Sequence, residues 1–241
     1  MSFENQSVLV TGASRGLGRA LLTAFAEAGA RVVGVARDTA AIESVAHDLR
    51  ARGLVAYGLG ADVGAKDETY AIAGAAQALV GPLDVLIHNA STLGPTPLPL
   101  LADTECEDFA RVLEVNLLGP FRLTKAVVGR MVLAGSGLVV LVSSDAAQVP
   151  YPRWGAYGVS KAALDHLGRV WAAELEGSGV RFLSIDPGEM DTEMHRAALP
   201  DADPSTLARP EAVARAILRT LERSSTLASG GRVEVAAEEA A

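Results

Sequence analysis

Short apolar runs recur along this chain, and stretches with helical spacing separate them. The runs fall at residues 8–10, 32–36, 55–59, 85–87, 138–142 and 182–185. They are rich in Val, Leu and Ile and do not alternate apolar with polar, the pattern of strands buried on both faces of a parallel sheet. Val233-Glu234-Val235 reads as a short seventh strand. Helices are expected at 19–28, 39–52, 67–80, 103–133, 156–176 and 210–222. Several stop at a glycine, and the last opens on Pro210, which suits a first helical turn. Such a strand–helix alternation predicts a doubly wound α/β sheet with helices on both faces. The stretch 91–103 and most of 190–210 read as loop, and 236–241 as a frayed tail.

At 241 residues, one α/β domain spanning 1–241 accounts for the whole chain. The net charge of -8 disfavours a phosphate backbone, and the basic residues form no patch, so no nucleic-acid partner is expected. The single cysteine, Cys106, excludes an intrachain disulfide and fits a reducing cytoplasm. No histidine or cysteine spacing matches a metal site, so no metal is expected. No apolar run reaches the ~18 residues of a membrane span, and the first residues lack the pattern of a signal peptide.

The first strand runs directly into Thr11-Gly12-Ala13-Ser14-Arg15-Gly16-Leu17-Gly18, and a helix follows. Glycines there let backbone amides approach a pyrophosphate, and the helix N-terminus favours its charge. The alternative is a purely structural turn. Farther on, Tyr157-Gly158-Val159-Ser160-Lys161 puts a phenol and an ammonium one helical turn apart on one face. Chance would produce such a YxxxK about 0.05 times in a chain of this composition. Ser144 precedes Tyr157 by 13 residues and follows the run at 138–142.

With its TGxxxGxG turn, Ser144 and YxxxK in this order, the chain resembles the short-chain dehydrogenase/reductase family along nearly its whole length. The resemblance implies a Rossmann-like sheet of order 3-2-1-4-5-6-7. It implies a catalytic group of Asn116, Ser144, Tyr157 and Lys161. Tyr157 would exchange the proton, and Ser144 would hold the carbonyl oxygen. Lys161, with the positive nicotinamide, would lower the phenol from its free pKa near 10. Asn116 would anchor a water leading to Lys161.

For the cofactor, the resemblance implies contacts from Gly12, Ser14, Arg15, Gly16, Leu17 and Gly18. It adds Asp62 and Val63 after strand three, and Asn89 and Ala90 in His88-Asn89-Ala90-Ser91. The family usually carries NNAG at that last place, so His88 and Ser91 depart. Ser91 is compatible with the glycine's path only at negative φ. Pro187, Gly188, Met190 and Thr192 would face the nicotinamide, together with Tyr157 and Lys161.

Strand two ends on Ala36, with no carboxylate for a free ribose hydroxyl. Arg37 and Arg15 suit a 2′-phosphate, which favours NADP(H), with NAD(H) as the alternative because Asp38 is nearby. The expected activity is hydride transfer between the nicotinamide and a ketone, aldehyde or secondary alcohol. A non-catalytic NADP(H)-binding regulatory protein is the rival. Substrate would sit among loops near 91–103, 145–156 and 189–210, where Arg153 is a candidate anion ligand. A homodimer or homotetramer is implied through the two long helices.

Overall fold

A computed structural model describes residues 2–235. The expected tail at 236–241 lies outside the described residues. Seven parallel strands form one sheet: β1 (Ser7–Thr11), β2 (Arg31–Ala36), β3 (Ala56–Gly60), β4 (Val85–His88), β5 (Gly137–Val142), β6 (Val180–Asp186) and β7 (Gly231–Glu234). Their order is β3-β2-β1-β4-β5-β6-β7, as expected. The central strands are buried on both faces, whereas edge strand β3 is half exposed and β7 more so.

The helices are α1 (Gly16–Glu27), α2 (Thr39–Ala51), α3 (Thr69–Val80), α4 (Cys106–Leu113), α5 (Gly119–Ala134), α6 (Gly155–Glu174), α7 (Glu193–Ala198) and α8 (Pro210–Glu222). Side chains alternate across the sheet as strand geometry demands. Val8 and Val10 pack in one apolar layer with Leu22, Phe25 and Ile217 from α1 and α8. Leu9 and Leu86 pack in the other with Leu123, Leu164 and Phe182. Burying each large apolar side chain contributes about 1.5–3 kcal/mol, so the layers hold the strand ends, where the loops emerge, in fixed register.

Three expectations are corrected and a fourth is refined. Helix α1 begins at Gly16, inside the glycine turn, not at residue 19. The long helix expected at 103–133 starts at Cys106, and a five-residue π-helical segment, Glu114–Leu118, separates α4 from α5. Pro120 accounts for the break. It lacks an N–H and its ring crowds the carbonyl four residues back, that of Asn116. The stretch 190–210 is irregular over more than half its length, as expected, but α7 forms within it, capped by Thr192 Oγ1 accepting from the His195 amide at 3.1 Å. The loop near 145–156 is also partly helical, with a 3₁₀ turn at Asp145–Ala147 and α6 starting at Gly155.

Among the described residues, no helix is long and apolar enough to cross a membrane. Nor does any group of three His, Cys, Asp or Glu side chains gather as a metal site.

Candidate active site

Strand order reverses beside β1 and β4, and an open cleft of about 2300 Å³ lies there at the carboxyl ends of the strands. This is the place where a doubly wound sheet offers room for a ligand. The volume exceeds the ~300–1,000 Å³ of a usual single-ligand pocket.

One end is the glycine turn. Gly12 has φ +68°, and a Cβ there would sit 2.7 Å from the Cα of Ala90. A Cβ on Gly18 would collide with the Gly12 carbonyl. Both positions therefore require glycine. Asn89 Nδ2 donates to the carbonyls of Thr11 (2.9 Å) and Gly12 (3.1 Å), and Thr11 Oγ1 accepts from the amides of Asn89 and Ala90. The turn is thus stitched to the end of β4. No side chain caps α1, and its first turn holds no acid. Its free amides and positive dipole end face the cleft through Gly16, Leu17 and Gly18. That cradle fits a dinucleotide pyrophosphate. Ser14 and Arg15 line the same end.

Arg15, however, is ion-paired with Glu193 of α7 across the cleft. Arg37 is exposed on the cleft wall, after Ala36 at the end of β2. Asp38 is committed to capping α2, its Oδ1 accepting from the Ala41 amide at 2.9 Å. Asp62 and Val63 line the cleft. Burial raises the Asp62 carboxyl, but Arg111, the Gly64 amide and Arg37 outweigh it and hold the group below its ordinary value.

At the other end lie Ser144, Tyr157 and Lys161. Ser144 Oγ donates to Asp145 Oδ1 at 2.9 Å and accepts from the Ala146 amide at 3.2 Å. Tyr157 is buried, with Trp154 edge-on at 5.7 Å between ring centroids. Lys161 Nζ lies 5.5 Å from the centre of the Tyr157 ring and donates to the Val142 carbonyl at 2.6 Å. Burial lowers the ammonium to about 8, with Asp165 and Asp186 opposing the shift. Burial pushes the phenol up to about 12; Ser144 and Ser91 pull it down, while Asp145 and Asp186 raise it further. The protein groups alone therefore hold Tyr157 above its ordinary value, whereas the lowering was expected from Lys161 together with the positive nicotinamide.

Asn116 sits in the π-helical segment, buried. Its Oδ1 accepts from the Thr92 amide (2.8 Å), and Nδ2 donates to the Thr92 carbonyl and Ser160 Oγ (both 2.9 Å). Its side chain ties the loop after β4 to α6. Its backbone carbonyl lacks the usual donor four residues on, because that residue is Pro120. Asp186 closes β6 and accepts from the Gly188 amide at 3.0 Å. Pro187, Gly188, Met190 and Thr192 then line the cleft, with Thr192 beside Gly16 of the glycine turn.

The profile of the short chain dehydrogenase family matches residues 6–203. The chain belongs to that family. A short chain dehydrogenase of Pseudocercospora fijiensis is 38% identical over 194 residues, covering 79% of this chain and 62% of the relative's length. A gluconate 5-dehydrogenase from Burkholderia cenocepacia, solved with NADP and tartrate, superposes with a TM-score of 0.88 at 26% identity, covering 97% of this chain and 95% of that one. A 7α-hydroxysteroid dehydrogenase solved with NADH and a 7-oxo bile acid superposes with a TM-score of 0.86 at 27% identity, over 97% and 94%.

The short chain dehydrogenase fold thus gathers the sequence-predicted residues around one cleft. Asn116 stands behind its wall rather than on it. Two departures from the family pattern, Ser91 and His88, are accounted for, and one assignment, Arg153, is corrected. Ser91 does have the negative φ that its place demands. Arg153 donates to the Leu98 carbonyl at 3.2 Å and lines a separate small recess, so it does not face the cleft as an anion ligand. His88 is buried against Thr124 Oγ1 at 2.8 Å, and burial lowers it to about 3, so it stays neutral. Sequence reasoning missed Asp165 and Arg232, which stand close to the catalytic end. The spacing of Asp165, four residues after Lys161 on one helix, was the available signal.

Proposed function

We propose that this short chain dehydrogenase transfers hydride between NADP(H) and a ketone, aldehyde or secondary alcohol, with Tyr157 as general acid and base. The observation carrying the reading is the Tyr157–Lys161 pair. It is buried beside Ser144 in the same cleft as an uncapped helix N-terminus able to hold a dinucleotide.

When bound, the nicotinamide supplies or accepts the hydride. The residues do the rest. Ser144 holds the carbonyl oxygen by a hydrogen bond as negative charge grows there. Tyr157 delivers the proton to that oxygen, or takes it back in oxidation. Lys161 holds positive charge next to the phenol, and Asn116 fixes the loop after β4 against α6. Leu93, Ala146 and Trp154, packed with Tyr157, supply an apolar wall for the substrate.

Preference for NADP(H) rests on Arg37 and on the absence of a free carboxylate at the end of β2, since Asp38 is occupied as a cap. NAD(H) remains the second reading. Arg15 is held by Glu193, which leaves Arg37 as the main phosphate ligand, and the hydroxysteroid dehydrogenase neighbour binds NADH. Calorimetric titration with NADPH and NADH tests this. NADPH should bind at least about tenfold tighter, and Arg37→Ala should lose that margin. Equal affinity overturns the NADP assignment. Cofactor binding with no turnover of any carbonyl or alcohol favours the regulatory rival.

The same proposal takes residues 1–241 as one cytoplasmic catalytic unit that assembles as a homodimer or homotetramer. Phe121 and Leu133 on α5 and Val159 and Val170 on α6 leave apolar surface exposed. Light scattering should give a mass of two or four chains, and Leu133→Glu should reduce it.

A further inference from the structure

Arg232 of β7 lies among three carboxylates. Its Nε is 3.4 Å from Asp165 Oδ2, and its Nη1 is 2.8 Å from Glu234 Oε1. Its Nη2 bonds Asp186 Oδ2 and also donates to the backbone carbonyl of Ser144 at 3.1 Å. Glu234 is exposed. The side chains of Arg232, Asp165 and Asp186 are only 12%, 5% and 7% exposed. A guanidinium with several partners in a dry setting holds their relative positions more firmly than an ion pair in water.

Each buried partner belongs to a different part of the candidate active site. Asp165 lies one turn after Lys161 on α6. Asp186 ends β6 and receives the Gly188 amide. Ser144 is the proposed oxygen ligand. One side chain thus ties α6, the end of β6 and the segment after β5.

The charges point the same way. Asp165 and Asp186 act on Lys161, and Asp186 and Asp145 act on Tyr157; all of them favour the protonated form. Ser144 and Ser91 stand near the phenol and oppose this. His88, on β4, is neutral and paired with Thr124. Arg232 touches Asp165 and Asp186, though not Asp145, and is not used in the proposed chemistry.

We propose that Arg232 is a positioning residue for the Ser144–Tyr157–Lys161 group, fixing the Ser144 backbone and cancelling charge on Asp165 and Asp186. The inference rests on the proposed oxidoreductase function. Its consequence is a specific pH effect. Alcohol oxidation rises as Tyr157 gives up its proton. Removing the guanidinium leaves two uncancelled carboxylates, so the proton is held more tightly and the rising limb moves to higher pH.

The test is the pH profile of alcohol oxidation with NADP⁺ by the full chain. Arg232→Gln should shift the midpoint up by about one pH unit and lower kcat about tenfold. Arg232→Lys, which keeps the charge, should return the midpoint towards that of the unmodified chain. Asp186→Asn, which removes a carboxylate acting directly on Tyr157, should shift it down, and this variant decides the matter if Arg232→Gln does not fold. A merely structural role would lower kcat or Tm and leave every midpoint in place, and that result would overturn the inference. If the unmodified chain turns over no alcohol or carbonyl, the proposed function falls and this inference with it. Turnover with unmoved midpoints removes this inference alone.

Discussion

The Lys161 ammonium lies 5.5 Å from the centre of the Tyr157 ring and donates its short hydrogen bond to the Val142 carbonyl, not to the phenol. The phenol is therefore a proton donor at neutral pH in the protein by itself, because burial holds it up to about 12. In the proposed reaction this form serves carbonyl reduction, and oxidation needs further positive charge near the ring. Tyr157→Phe should cut kcat for reduction by roughly 10²–10⁴-fold. It should leave the NADPH Kd within about threefold, since the proposed proton step requires the hydroxyl and the cradle at α1 does not. Steady-state kinetics beside calorimetry check both. A variant that keeps its kcat would remove Tyr157 from the chemistry.

The pairing of Arg15 with Glu193 joins the glycine turn to α7. Both side chains are largely exposed, so the pair itself contributes little stability. Its effect should instead appear in cofactor choice. Glu193→Gln frees Arg15 for a 2′-phosphate and should tighten NADPH binding about three- to tenfold, with NADH unchanged. Equal tightening of both would show that Glu193 acts on access to the cleft and not on the phosphate.

Asn116 makes three hydrogen bonds that join the loop after β4 to α6. At about 0.5–1.5 kcal/mol each, Asn116→Ala should cost roughly 2–4 kcal/mol in denaturant unfolding. It also releases Ser160 and the loop carrying Thr92, so kcat should fall in protein that is still folded. A variant as stable as the unmodified chain would show that these bonds are replaced locally.

His88 carries an acid-stability signature. It is neutral in the folded protein down to about 3 and titrates at 6.5 when exposed, so between those values the unfolded chain binds the extra proton. Stability from this group is therefore present above pH 6.5 and is lost as pH falls towards 3. At 1.36 kcal/mol per unit, a drop of two units below 6.5 costs roughly 2–3 kcal/mol. His88→Asn, the residue the family usually carries there, should flatten this part of the pH–stability curve. Urea unfolding at several pH values reads the difference directly, and parallel curves for the two proteins would sink the assignment.

Much of this was legible in the sequence because it is written locally. The apolar runs marked strands, and TGxxxGxG and YxxxK each lie within one turn or one helix. Resemblance supplied the strand order and the partners Ser144 and Asn116. What was not legible depends on meetings between distant residues. Nothing near Arg15 announces Glu193, 178 positions away. Nothing near Ser144 announces Arg232, 88 away. The pKa of Tyr157 followed from burial, which the spacing to Lys161 does not reveal. Two local signals were present and unused. Gly119-Pro120 foretells the break in the long helix, and Thr192 followed by Glu193 is a helix start.

As the chain is synthesised, β1 emerges first and can pair with β2 once residue 36 is out. Its other edge waits for β4 at residues 85–88. Until then a central strand offers unpaired backbone groups along one side, which is when a nascent chain is most open to pairing with another copy. No hairpin can close the gap, because every neighbour in this sheet is parallel and is reached by a long crossover. The crevice at the carboxyl ends of β1 and β4 thus lies over the seam whose two strands stand farthest apart in sequence, so no other neighbouring pair in the sheet waits as long for its second strand.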